Sequence, residues 1–451
     1  MSNNINLKKG LDIPVTGAAS PVVSKTVVPG ICAVRPSDFK GFNPRLLVRE
    51  GDKVLAGSPV MSDKKNPEIL VTSPLSGTVK EIVRGDKRKL LAVLVQTDKV
   101  QESIDFEAAQ PDSLSAEQVR TKLLKSGLWA SIIQRPYGIV ADPAASVKAI
   151  FVSAFSTAPL AADTEFTLGD RKADIQAGLD ALSKLSEGGV HVCVNGKINS
   201  TFASLKGVKL HSVCGKHPAG NVGVQISHIS PILKEETVWT VSLQNVAAIG
   251  RLFLTGKVDL RRKVAVCGPM AIEPSYVETF PGMSVMALAP YYGGCAEGIR
   301  FISGDILTGE NVGEQGYLGF FSDQITLIRE GDEKEYFGWI RPIRYKQFST
   351  DHCYFSWLMP WRKYDMTTNL HGGPRAFLVN DAYYAKVLPM DIYPLYLTKA
   401  CLAGDIDKME KFGIYEVLPE DLALCEFVDP SKNYIQDIIA KGIDLMLKEM
   451  A

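Results

Sequence analysis

Between residues 20 and 100 short apolar runs alternate with turns built on Gly, Asp and Pro: Ile31 to Val34, Leu46 to Val48, Leu70 to Thr72, Thr78 to Val83 and Leu90 to Val95. Runs of that length with those punctuators predict a compact β-domain. Within it, VREGDKVLAGSPVM places Gly51 and Gly57 at turns flanking a short Asp-Lys-Val strand, a pattern that suits paired hairpins. The period then changes. In AEQVRTKLLKSGLW the apolar residues Val119, Leu123, Leu124 and Leu128 recur at helical spacing, with Ser115 as N-cap and Glu117 and Gln118 behind it. Next, KAIFVSAFS predicts a buried parallel strand, ADIQAGLDALSKLSEGG a helix ending on Gly188 and Gly189, and VHVCVNG a second buried strand. Strand, helix, strand implies an α/β layer, with further strands at Val208 to Val213, Glu236 to Leu243 and Val264 to Val266.

From about Leu252 to Pro342 the chain is dense in β residues and turns (LFLTGKVDLRRKVAVCGP, GFFSDQITLIREGDEKEYFGWIRPI), which predicts a small β-rich domain. The last stretch reads as helical at Asp391 to Leu402, Lys408 to Phe412, Asp421 to Phe427 and Tyr434 to Lys448. In the final helix Ile435, Ile438, Ile439, Ile443, Leu445, Met446 and Leu447 oppose Lys441 and Lys448, a face expected to pack on its own domain. The resulting organisation is a β-domain over 1–110, an α/β domain over 111–255, a β-rich domain over 256–345 and a mostly helical domain over 346–451.

Composition narrows the function classes. A chain of 451 residues exceeds one core, and 46% hydrophobic with 22% charged residues describes ordered globular domains. Fifty basic residues balance fifty acidic ones, so no global field favours nucleic acid. No run reaches the ~18 to 20 apolar residues of a membrane span. MSNNINLKKGLDIPVTG lacks the apolar core of a secretory signal, and a cytoplasmic location is expected. The eight cysteines are dispersed without metal, Fe–S or haem-attachment spacing; each is expected to be a small buried hydrophobe, and no disulfide is expected.

Several motifs bear on chemistry. Neither G-x-G-x-x-G nor G-x-x-x-x-G-K-[ST] occurs, and WASIIQRPYGIVADP precedes the strand KAIFVSAF where a phosphate loop would stand. Side chains such as Trp129, Ile132 and Arg135 would hold backbone amides away from a pyrophosphate, so no tightly bound NAD or flavin is expected. No G-x-S-x-G elbow appears, and hydrolase chemistry is not expected. His217, in CGKHPAGNVGVQISHISPI, reads either as an imidazole presented by a tight loop or as a capping or surface residue of a structural turn. His211, Cys214, His217 and His228 match no zinc pattern. The aromatic cluster HCYFSWLMPWRKYDM (Tyr354, Phe355, Trp357, Trp361, Tyr364) suits an interface or core better than a stacked ligand. SDKKNPEILVTSPLSGTVKEI has the look of a lipoyl- or biotinyl-lysine hairpin, but Lys64 is followed by Lys65, Asn66 and Pro67. That turn is longer and stiffer than a swinging arm needs, and an unmodified scaffold is expected.

Taken in order, KKGLDIPVTG, DKKNPEILVTSPLSGTVKEIVRGDKR, SGLWASIIQRPYG, KAIFVSAFSTAPLAAD, KHPAGNVGVQISHISPI, GRLFLTGKVDLRR, GDILTG, EKEYFGWIRP and PMDIYPLYLTKACLAGDIDKMEKFGIYEVLPEDLALCEFV resemble the A-subunit family of the sodium-translocating NADH:quinone oxidoreductase over essentially the full length. The resemblance implies a peripheral subunit on the cytoplasmic face of the bacterial inner membrane. It also implies five partner subunits, chiefly the membrane subunit with covalent FMN. The fold it implies is α/β multidomain: a barrel-sandwich (lipoyl/biotinyl-like) module, a Rossmann-like module, a β-grasp (ubiquitin-like, SLBB-type) module and a C-terminal helical domain.

Where flavin-binding relatives carry G-R-G-G-A-G-F-P, this chain has GLWASIIQRPYG, and where they carry an acidic cysteine-bearing segment it has FSTAPLAAD. In DLALCEFVDPSK, Cys425 remains but Asp429 stands where close family members usually show a second cysteine, and one thiol cannot hold a cluster. The resemblance thus implies no covalent cofactor here, with NAD, FAD, FMN and Fe–S centres on other subunits, quinone as substrate and no catalytic activity of the isolated chain. A flat quinone wants apolar walls and one or two donors. The vacated flavin cleft suggests Trp129, Arg135, Tyr137, Phe155 and His217 as its lining, with no catalytic or metal-ligating residue assigned. The alternatives are a docking subunit without a ligand, or an electron-transfer subunit of the related Rnf complex.

Overall fold

The computed structural model describes residues 4–449 except 332, 334–335, 338–339, 341–342, 353, 370–377 and 379. Cys353 and part of EKEYFGWIRPI therefore lie outside the described residues.

The first β-unit holds two small sheets. One orders Ile31–Val34, Leu90–Thr97, Gly77–Arg84 and Lys53–Val54; the other orders Pro44–Leu46, Pro59–Asp63 and Leu70–Thr72. Their inner faces, with Val60, Met61, Val71, Val79, Val93 and Val95, continue without a break into the core beneath Leu123, Trp129 and Ile150. The turn after Pro59–Asp63 is built by its aspartate: buried Asp63 accepts the backbone N–H groups of Asn43 and Asn66 at 2.8 and 3.1 Å, leaving Lys64 and Lys65 exposed beside it. The adjoining strand meets the helix Ala116–Lys125 at its C-terminus, where a Cβ on left-handed Gly127 would lie 2.5 Å from Thr72. Ser115 and Gln118 form the capping box that starts that helix.

The central sheet runs Asn4–Asn6, Lys209–Cys214, Val190–Asn195, Ile150–Ser153, Val238–Thr240, Ile133–Arg135 and Ile139–Val140. The first five strands are parallel and the last two antiparallel. Parallel strands must be covered on both faces. On one face Ile150, Val152, Val190, Val192 and Trp239 pack under the helices Lys172–Ser183 and Leu243–Thr255. Those helices cross with their backbones in contact: a Cβ on Gly250 would sit 1.7 Å from the Asp174 carbonyl. The apolar segment LFLT is the last turn of Leu243–Thr255, not a strand, because Ser242 caps the helix and left-handed Gly256 ends it. The strand expected over Glu236 to Leu243 is cut to Val238–Thr240 for the same reason.

The other face of the sheet is covered from both ends of the chain. Cys193 and Val213 share a core with Leu7, Ile13 and Val15 of the N-terminal arm, with Val224 of the helix Val222–Ile229, and with Leu397, Met409, Leu424, Ile439 and Met446 of the C-terminal helices. Those helices are Pro394–Ala403, Ile406–Lys411, Ala423–Val428 and Ile435–Glu449. The segment 346–451 thus does not bury its apolar faces alone.

The remaining sheet orders Glu310–Asn311, Ile299–Ser303, Gln324–Arg329, Arg262–Cys267, Ser275–Thr279 and Val23–Thr26. Arg262–Cys267 and Gln324–Arg329 lie parallel at its centre, flanked by antiparallel partners. Cys32, Cys193, Cys267 and Cys425 are buried, whereas Cys295 is exposed on a glycine-rich turn and departs from the expected buried role.

Candidate functional site

The site follows from strand pleat. Register pairs Gln134 with Trp239 and Arg135 with Val238, so successive residues point to opposite faces. Trp129 packs edge-on against Trp239 at 5.3 Å, fully buried on the face of the Lys172–Ser183 helix, and its indole N–H donates to the Ala141 carbonyl at 2.8 Å. It is a satisfied core residue. Its place in the sequence groups it with the other four candidates, but the sheet separates them.

Arg135 points to the opposite face and is itself buried. Its Nη1 donates to Asp421 Oδ2 at 2.9 Å and its Nη2 to Glu420 Oε1 at 2.8 Å. Asp421 also accepts the Leu418 N–H at 3.0 Å, which ties the guanidinium to the start of the helical turn Pro419–Leu422. Gly223, in the first turn of Val222–Ile229, makes room for the pair: a Cβ there would lie 2.3 Å from both Arg135 Nη1 and Asp421 Oδ2.

Tyr137, in the left-handed region at φ 83°, faces Tyr415 edge-on at 6.3 Å. Tyr415 donates to Glu410 Oε1 at 2.5 Å, and Lys234 completes the chain with an ion pair to Glu410 at 3.0 Å. Phe155 lies half-buried against the shared helical core, just past the strand Ile150–Ser153. The loop it opens touches the HPAG turn, since a Cβ on Gly220 would meet the Thr157 N at 2.6 Å.

His217 is only 3% exposed and is neither a surface residue nor a cap. Its backbone is clamped by the N-terminal arm: His217 N–H donates to Asp12 Oδ1 at 2.9 Å, and Leu11 N–H to the His217 carbonyl at 2.8 Å. Thr157 Oγ1 accepts the Gly220 N–H at 2.9 Å and lies 3.2 Å from His217 Nδ1. In that contact the hydroxyl donates if the neutral ring carries its proton on Nε2 and accepts if the proton is on Nδ1. Burial pushes the imidazole down despite the carboxylates of Asp305, Asp12 and Asp421 around it. Nε2 is buried and has no protein partner, and Asp421 Oδ1 and Gln225 Oε1 nearby in this seam are in the same condition.

Arg135, Tyr137, Phe155 and His217 therefore gather on one side of the sheet, around Val222–Ile229 and the segment 415–421. The sequence offered no pointer to Thr157, Gly223, Glu420 or Asp421, because their partners lie 60 to 286 positions away. His211 pairs instead with His191, Nε2 to Nδ1 at 3.0 Å with the rings stacked at 5.1 Å. Among the described residues no three His, Cys, Asp or Glu side chains form a group able to hold a metal ion. Cys425 is buried in the helix Ala423–Val428, where burial pushes its thiol up. An open cleft of about 380 Å³ lies away from this seam, and its charged walls are paired internally, as in Arg171 with Asp174 at 3.0 Å and Lys263 with Asp170 at 2.8 Å.

Comparison with known proteins agrees with this architecture. Residues 5–98 match the NqrA N-terminal barrel-sandwich hybrid domain and residues 114–258 the NqrA second alpha/beta domain. Relatives named as the A-subunit of Na(+)-translocating NADH-quinone reductase are similar end to end. That of Shewanella amazonensis is 39% identical over 451 residues, covering 99% of this chain and 100% of its own. That of Vibrio alginolyticus is 37% identical with 99% and 100% covered, and that of Rhodopirellula baltica 36% with 98% of each. Among solved structures, a chain of an NAD+-reducing hydrogenase covers 50% of this chain at 11% identity and a TM-score of 0.36, too slight a likeness to inform the site. Among the described residues no helix is long and apolar enough to cross a membrane. The chain belongs to the A-subunit family of the Na(+)-translocating NADH-quinone reductase and is, with its relatives, a component of that oxidoreductase complex.

Proposed function

We propose that this subunit works at the cytoplasmic face of the inner membrane, docks on the membrane subunit with covalent FMN and contributes to the quinone site of the complex. NAD, flavins and Fe–S centres are held by other subunits. The observation that carries the reading is His217 Nε2, a buried ring nitrogen with no protein partner, on the side of the sheet whose core Phe155 and Tyr137 also pack against. With its proton on Nε2 a neutral imidazole suits a quinone carbonyl, and an unsatisfied buried polar atom costs about 1–3 kcal/mol that such a partner would recover. Arg135 serves as the structural tie beneath the site, and Trp129 has no part in it.

The module names that go with this reading are a Rossmann-like second unit and a β-grasp third unit. The third is supported by its own strand order 2-1-5-3-4 with the first and last strands parallel.

Photo-crosslinking of an azido-quinone in the purified complex tests the quinone role. Label on this chain that falls several-fold in His217→Ala is expected; absence of label on this chain would overturn it. A docking subunit without a ligand is the competing reading, favoured by the commitment of Arg135 to Asp421. Under it, His217→Ala leaves quinone KM unchanged while substitutions at the docking face dissociate the complex.

A further inference from the structure

The aromatic cluster HCYFSWLMPWRKYDM is divided by the fold into an anchored half and an exposed half. Tyr364 is buried: its N–H donates to the Pro14 carbonyl at 2.8 Å, Thr16 N–H donates to its carbonyl at 3.1 Å, and its hydroxyl donates to the Ser356 carbonyl at 3.3 Å. Phe348 packs beside it at 5.9 Å and bridges to Phe427 of the C-terminal helices. This anchor fixes the 3-10 turn Phe355–Leu358 with Ser356 inward. At three residues per turn, Phe355, Trp357 and Leu358 then face out. They are about half exposed, and Trp361 is 78% exposed. Tyr345 joins them, held under the Arg362 guanidinium at 5.2 Å.

Five large apolar side chains this exposed exceed the scattered singles of an ordinary surface and mark a contact face. Its charge selects the partner. Between Ile343 and Lys363 the chain sets Lys346, Arg362 and Lys363 against Asp351 and, just beyond, Asp365, while Arg344 is buried and bonded to Gln347 and Tyr354, in a protein whose overall charge is zero. Lys346 and Lys363 are exposed beside the aromatic side chains. Protein interfaces are depleted in lysine, whereas Trp and Tyr interleaved with Lys and Arg is the composition that settles at the headgroup level of a bilayer. The reaction of this family moves a sodium ion across a membrane, so a bilayer adjoins the complex.

We infer that the face formed by Tyr345, Phe355, Trp357, Leu358 and Trp361 rests directly on an anionic lipid surface, with Lys346, Arg362 and Lys363 against the headgroups. This contact is separate from docking on the membrane subunit, and the full-length chain alone carries it. Co-sedimentation with vesicles of phosphatidylcholine, with and without phosphatidylglycerol, tests it in the absence of other subunits. Binding to the mixed vesicles only is expected, weakened roughly fivefold for each basic residue lost in Arg362→Gln and Lys363→Gln and abolished in the double variant Trp357→Ser/Trp361→Ser. Trp129 and Trp239 are buried and Trp339 lies outside the described residues, so the part of the brominated-lipid quenching that disappears in Trp357→Ser/Trp361→Ser reports the two exposed tryptophans. No sedimentation with either vesicle, equal binding to both compositions, or unchanged binding by the tryptophan variant would overturn the assignment. So would the absence of quenching, and in that case failure of the tryptophan variant to join the complex would assign the face to a protein partner.

Discussion

Arg135 and Asp421 lie 286 residues apart in the chain and 2.9 Å apart in the fold, both buried, joining the antiparallel edge of the central sheet to the C-terminal helices. Asp421→Ala leaves Arg135 with Glu420 as its remaining counter-charge, removes a charge-assisted hydrogen bond and frees the Leu418 N–H, so a loss of about 1.5–3 kcal/mol is expected in urea unfolding. An equally stable Asp421→Ala chain would show that the tie contributes nothing.

Gly223 is required by the same pair. A methyl group there overlaps both Arg135 Nη1 and Asp421 Oδ2, and Gly223→Ala is expected to cost about 1–3 kcal/mol by overpacking. Gly169 has open space around its Cβ direction and a right-handed backbone, so Gly169→Ala serves as the neutral comparison.

Stability should fall in mild acid through the stacked pair His191 and His211. Burial, with Lys209 and His211 adding, pushes His191 down from 6.5 to about 4, and burial lowers His211 as well. The folded state therefore binds fewer protons than the unfolded chain below pH 6.5. Stability is fully present above that pH and declines as pH falls toward 4, by up to about 1.4 kcal/mol per pH unit for His191, with His211 acting in the same sense. His217, lowered by burial, acts in the same sense. Urea midpoints measured from about pH 7 to 4 check this; His191→Phe should flatten the slope, and an identical slope in that variant would exclude the pair as its source.

Trp129→Phe tests the core assignment. The indole donor is lost and the Ala141 carbonyl is left unpaired, with an expected loss of about 1–3 kcal/mol and no change in quinone KM. A raised KM with unchanged stability would return Trp129 to the site.

Lys64 should carry no lipoyl or biotinyl group. The turn that holds it is fixed by Asp63 through Asn43 and Asn66, so the tight exposed hairpin tip a modifying enzyme grips is missing. An intact mass equal to that of the sequence is expected, and any increment matching an acyl cofactor would refute it.

Local patterning determined the elements whose signals are contiguous. The strands Leu70–Thr72 and Leu90–Thr97, the helix opened by Ser115 and Gln118, and the four C-terminal helices are written in period, caps and turn residues, which act over a few positions. The end of the helix Leu243–Thr255 is not legible in the same way, because LFLT is equally apolar in either period and only the cap at Ser242 and the turn at Gly256 settle it. The helix Val222–Ile229 is hidden by the glycines and proline of its approach.

The tertiary structure alone decided which candidates share a face. Pleat alternation about Trp239 and Val238 sends Trp129 into one core and Arg135 into the other. The partners of Arg135 and His217 come from Asp421, Thr157 and Asp12, brought near by a sheet whose second face is covered by the two ends of the chain. A sequence states periods and caps within a few residues. Which buried polar atom is left without a partner depends on contacts that exist only once distant segments have closed over both faces of the sheet.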